Sequence, residues 1–129
     1  MKQAIWAVCA GLAVAGCTAT SHSGKETFNT YCTSCHGRSA TGDGTYAADL
    51  PMAPANLTLL SAGNGGTFPR GRVIAKIHGY SDKFHASVMP EFGSLMEGET
   101  VMVATDEGEV ATPRVLADLV AYLEAIQEN

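Results

Sequence analysis

An all-α domain of three to four helices, with one small β-hairpin set just before the last helix, is the fold this sequence predicts. Three stretches point to it. Near the C-terminus, Val115, Leu116, Leu119, Val120, Leu123 and Ile126 recur at three- and four-residue steps and leave Asp118, Glu124 and Glu128 outward, the stripe of an amphipathic helix. In the middle of the chain, Arg72–His78 puts Val73, Ile74 and Ile77 on one side and stops at Gly79, which suits a short helix with a glycine C-cap. Between these two, Thr100-Val101-Met102-Val103-Ala104 and Glu109-Val110-Ala111 alternate about Asp106-Glu107-Gly108, the pattern of a hairpin.

Taken in chain order, the first element is an address rather than structure. Met1–Gly16 places Lys2 ahead of the apolar run Ala4–Leu12 and ends in small residues, the layout of a secretory signal. Val14-Ala15-Gly16-Cys17 resembles the lipobox of bacterial lipoproteins, in which the cysteine after the cut is acylated. The alternative is ordinary cleavage after Ala13-Val14-Ala15, which leaves a soluble periplasmic protein. Cysteine arithmetic favours the lipid: with Cys9 removed, Cys17, Cys32 and Cys35 remain, an odd set in an oxidising compartment, and a thioether at Cys17 removes the surplus thiol. The expected organisation is a signal peptide over 1–16, a lipidated polar tether over 17–24 and one domain over 25–129, anchored by lipid to a bacterial membrane and facing the periplasm.

Composition narrows the function. A chain of 129 residues holds one ordinary domain, which excludes a long multidomain enzyme. With Lys2 set aside, 13 acidic residues face 7 basic ones and no run of Lys/Arg could follow a phosphate backbone, which excludes nucleic-acid binding. Thr112 and Pro113 stand where a cap and a first helical residue are wanted for the terminal helix.

Cys32-Thr33-Ser34-Cys35-His36 carries the chemistry. It is the attachment sequence of a c-type haem, and the spacing has a physical reason. Residues three apart share a helical face, so both sulfurs can reach the vinyl groups of one porphyrin while the next residue presents its imidazole to the iron. His36 is then an iron ligand. Three plainer readings compete. A thioredoxin-like pair needs alternating strands and helices that the Gly-, Pro- and Ala-rich sequence after Cys35 lacks. A zinc site wants four paired ligands, and a structural disulfide would leave His36 as coincidence.

For the opposite face of the iron the candidates are Met52, Met89, Met96, Met102, His78 and His85. Met89 is favoured because Pro90 biases the backbone before it toward extended geometry, which lets the segment run flat across a haem face. His85 ranks next. Met102 falls within the hairpin, which lowers its claim.

From Gly24 to about Gln127 the chain resembles a bacterial class I cytochrome c. The resemblance rests on Gly24-Lys25-Glu26-Thr27-Phe28, on Cys32–His36 followed by Gly37, Thr41-Gly42-Asp43-Gly44 and Pro51-Met52-Ala53-Pro54-Ala55-Asn56-Leu57, and on Met89-Pro90-Glu91-Phe92-Gly93. It implies an all-α class I cytochrome c fold around a single covalent haem c, with iron held by His36 and Met89. It also implies that Gly24 and Phe28 of a first helix pack against Tyr122 of the last. A proline carbonyl, from Pro54 or else Pro51, would accept the His36 Nδ1 proton and make the ring a better donor. The chain departs from the family in its hairpin and in having its only Trp, Trp6, inside the signal, so that Arg70, Arg72 or a Tyr would have to meet the haem propionates.

The resulting expectation is a one-electron carrier, not an enzyme, working between protein redox partners and needing no small-molecule substrate. The alternatives are a haem subunit of a larger oxidoreductase, or a gas-binding or peroxidatic haem protein with a labile sixth ligand. Arg70, Arg72, Lys76 and Lys83 form the basic group that a partner would meet near Met89.

Overall fold

A computed structural model describes residues 23–80 and 88–128. The signal peptide, Cys17 and the tether as far as residue 22, together with Lys83 and His85, lie outside the described residues.

The first helix, α1 (Gly24–Tyr31), begins with a reciprocal cap. The Glu26 amide donates to Ser23 Oγ at 3.3 Å and the Ser23 amide donates to Glu26 Oε2 at 2.9 Å, which satisfies two amides that the helix start would otherwise leave bare. α1 runs directly into a one-turn helix, α2 (Thr33–His36), closed by Gly37 at φ 77°. The chain then takes a long excursion through three short 3₁₀ turns, Ala47–Asp49, Leu57–Leu59 and Ala62–Asn64, before α3 (Arg70–His78), which ends on the left-handed Gly79. A further 3₁₀ turn, Gly93–Leu95, precedes the strands β1 (Thr100–Thr105) and β2 (Gly108–Pro113), and α4 (Arg114–Ala125) closes the fold.

The core sits where α1, α3 and α4 meet. Phe28, Ile74, Met96, Leu116, Leu119, Val120 and Leu123 are all at most 2% exposed. Burying side chains of this size stabilises a fold by roughly 1.5–3 kcal/mol each, which makes this cluster the main support of the domain.

The all-α expectation does not hold. About 45% of the described residues are helical and 12% lie in strands, and the four helices are joined by a two-stranded antiparallel sheet, so the class is a small α+β fold. The sheet is part of the packing: Val103 pairs with Val110, Val101 pairs with Thr112, both valines of the first pair rest on the core, and Thr112 is fully buried. Alternation puts Met102, opposite Ala111, on the other face at 57% exposure.

The start of the last helix also differs by one position. Thr112 is taken up by β2, its hydroxyl donating to the Val110 carbonyl at 3.0 Å, and Pro113 (φ −53°, ψ 135°) stands before the helix rather than in its first turn. Strand pairing up to Thr100↔Pro113 holds both residues extended, which overrides their capping preference. The Arg114 amide donates instead to the Glu99 carbonyl at 2.7 Å.

Candidate haem site at Cys32, Cys35 and His36

The motif occupies the tight turn at the end of α1. The amides of Cys35 and His36 both donate to the Cys32 carbonyl, at 3.3 and 2.8 Å, so the two thiols and the imidazole are held by one short run of backbone. Both cysteines are half-buried and carry free thiols. Burial, reinforced by the neighbouring Cys35 sulfur, pushes the Cys32 thiol up to about 11, so it is protonated at neutral pH. The following loop folds back onto the same turn: the amides of Gly42, Gly44 and Tyr46 donate to the carbonyls of His36, Cys35 and Ser34 at 2.9, 3.0 and 2.9 Å. A Cβ at Gly44 would strike the Ser34 and Cys35 carbonyls, so only glycine permits that approach.

His36 is buried, and its Nδ1 lies 3.0 Å from the Ala55 carbonyl. A carbonyl only accepts, so Nδ1 carries the proton and Nε2 presents a lone pair. Burial lowers the imidazole's proton affinity, only partly offset by the Ala55 hydrogen bond, and so favours the neutral ring that a metal requires. The acceptor is neither Pro54 nor Pro51. The Pro54 carbonyl is turned toward Gly42, and the Leu57 amide, bonded to the Ala40 carbonyl at 2.7 Å, sets the loop so that the next carbonyl along reaches the ring.

The candidates for the second axial position separate by burial. Met52 (65% exposed) and Met102 face solvent, and Met96 (1% exposed) is core. His78 stacks on Tyr80, ring centroids 3.5 Å apart and 11° from parallel. Met89 is half-buried and packs against the buried core. Its segment is held at both ends of the helical frame: the Phe92 amide donates to the Ile77 carbonyl at 2.8 Å, and the Phe92 ring meets Tyr31 of α1 at 6.2 Å. Gly93 lies so close to His78 that a Cβ there would press on its ring and carbonyl.

The basic group is less available than its sequence suggests. Arg70 is clamped by both oxygens of Glu124 (2.8 and 2.9 Å) and also reaches the Ala104 carbonyl, joining α3, α4 and β1. Arg72 donates to Asn64 Oδ1 at 3.2 Å.

The donor set suits a covalently attached haem: two thiols at the attachment spacing, a neutral imidazole with its outer nitrogen already engaged, and a half-buried thioether packed against the core. Among the described residues, one surface depression of about 530 Å³ lies between Ser23, Gly24 and Asp118 and another of about 610 Å³ beside Ser34, Arg38 and Asp43; neither is walled by Cys32, Cys35, His36 or Met89. Among the described residues no three His, Cys, Asp or Glu side chains converge as a metal cluster. Ala55 escaped the sequence reading because a backbone carbonyl leaves no mark on residue identity. Gln127, whose side chain ties the same loop to α4, escaped it because it lies beyond the last apolar step of the helix. No family model matches this chain, and neither the curated proteins nor the solved structures contain a match to it.

Proposed function

We propose that this chain is a monohaem c-type one-electron carrier, with haem bound through Cys32 and Cys35, iron held by His36 and Met89, and the domain tethered to a bacterial membrane through a lipid on Cys17. The observation that carries this reading is the pairing of His36 Nδ1 with the Ala55 carbonyl next to two free thiols at the attachment spacing. When bound, such a haem supplies a ferric/ferrous couple. The protein's part is to fix ligands and exclude water. The Ala55 carbonyl holds the imidazole in one tautomer and raises its donor strength. Met89, a soft thioether on a segment pinned at Ile77 and Tyr31, favours the reduced state. Two held ligands leave no position for a substrate, so the work is electron exchange with protein donors and acceptors rather than catalysis. Of the Arg and Lys residues of α3, Lys76 stands nearest in sequence to the Met89 segment, where an acidic partner surface would dock.

The test is the native protein's mass and spectrum. Its mass reports haem number, cleavage site and acylation together, and the ferric form should show a sulfur-to-iron charge-transfer band. Binding of carbon monoxide to the reduced protein at neutral pH, without that band, would favour the gas-binding alternative.

A further inference from the structure

The end of α4 reaches across the molecule to the loop that orients His36. The Gln127 side chain makes two hydrogen bonds there and one to its own helix: Oε1 accepts from the Ser61 amide at 2.8 Å, and Nε2 donates to the Leu57 carbonyl at 2.7 Å and to the Leu123 carbonyl of α4 at 2.8 Å. The Glu128 amide adds a third tie to the loop, to the Thr58 carbonyl at 2.8 Å. Within the loop, Asn56 Oδ1 accepts from both the amide and the hydroxyl of Thr58, at 2.9 and 2.7 Å. Leu57 is thus held through both of its backbone polar groups, its amide by the Ala40 carbonyl and its carbonyl by Gln127.

Leu57 stands two residues after Ala55, whose carbonyl bonds the His36 ring. With only two soft torsions per residue, a carbonyl that close to a gripped residue has little room to turn. Both polar atoms of the Gln127 side chain are engaged with backbone groups, Oε1 and Nε2 across the junction at Ser61 and Leu57 and Nε2 also with Leu123 of its own helix. We propose that Gln127 is a positioning residue for His36: by fixing the loop at Leu57 and Ser61 it sets the strength of the Ala55-to-imidazole hydrogen bond, and through it the donor strength of the axial ring. This rests on the reading of His36 as a haem ligand.

The sign follows from the ring's electronics. A weaker bond from Nδ1–H leaves the imidazole a poorer donor and the ferric state less stabilised, so the midpoint potential rises. Gln127→Leu in the matured full chain should raise it; in Gln127→Glu the added negative charge acts in the opposite direction, so that variant is read by exchange of the His36 Nδ1 proton. Gln127→Glu should drift back toward wild type as pH falls, because a protonated carboxyl can again donate to Leu57; Gln127→Leu should not. In the reduced protein the His36 Nδ1 proton, followed by nitrogen-15 NMR, should exchange with water faster in both variants. Unchanged potential and exchange alongside a lowered melting temperature would overturn the proposal and make Gln127 a structural clamp only. If Gln127→Leu does not accumulate, Gln127→Glu carries the exchange readout. A wild-type chain without covalent haem would sink the haem reading by itself, and imidazole exchange in that haem-free chain would still report whether Gln127 governs the Ala55–His36 bond.

Discussion

Phe28 of α1 and Tyr122 of α4 meet with ring centroids 5.5 Å apart and planes tilted by 49°, one turn from where Gly24 lies against the Asp118 carbonyl and Tyr122 Cβ. That crossing joins the element leading into the Cys32–His36 motif to the element whose far end grips the Ala55 loop. Its stability therefore bears on both halves of the site.

Phe28 is fully buried, so Phe28→Ala should cost about 3–5 kcal/mol. Gly24→Ala should also destabilise, because its Cβ would meet main chain rather than a yielding side chain. Denaturant unfolding checks both. A loss at Gly24→Ala no larger than that of an exposed helix substitution would mean that the helices separate without cost.

Replacing Cys32 or Cys35 singly with Ala should weaken covalent haem retention, and the double substitution should abolish it. Haem staining on a denaturing gel reads this directly. Retention of stain by the double variant would remove the basis of the proposed attachment.

Met89 and Met96 should part company. Met89→Leu should erase the sulfur-to-iron charge-transfer band with only a modest loss of stability. Met96→Leu, a volume-conserving change in a tightly packed core, should leave the band intact and cost under about 1.5 kcal/mol. The reverse pattern would transfer the ligand assignment to Met96.

The haem-free chain should become less stable in mild acid. His36 has a folded-state proton affinity below its ordinary value of 6.5, chiefly from burial. The unfolded chain therefore binds more protons in that range; the His36 contribution is fully present above about 6.5 and is lost as pH falls toward the lower folded value. Thermal melts across this range should show the decline, and His36→Gln should flatten it.

Cys17→Ser should release the protein from membranes without altering its haem spectrum. Acyl chains contribute on the order of 0.8 kcal/mol per buried methylene, beyond anything a polar tether supplies. Membrane fractionation decides it, and wild-type protein found wholly in the soluble fraction would point to cleavage after Ala15.

Much of this was legible along the chain. The apolar stripes of α3 and α4 and the alternation of β1 and β2 are local periodicities, and each element appears within a few residues of its expected place. The spacing of Cys32, Cys35 and His36 determined the candidate chemistry, since three- and four-residue steps on one turn already dictate which groups can share a ligand. Tertiary structure decided what depends on partners distant in sequence. It assigned the hairpin's inner face to the core and so changed the class from all-α to α+β. It drew Thr112 and Pro113 into a strand, paired Arg70 with Glu124, chose the carbonyl of Ala55 over that of Pro54, and placed Gln127 over the loop that follows. The physical reason is common to all of them. A side chain's polarity shows in sequence which way it should face, whereas the direction of a peptide carbonyl and the neutralisation of a charge are settled only when remote segments close on each other.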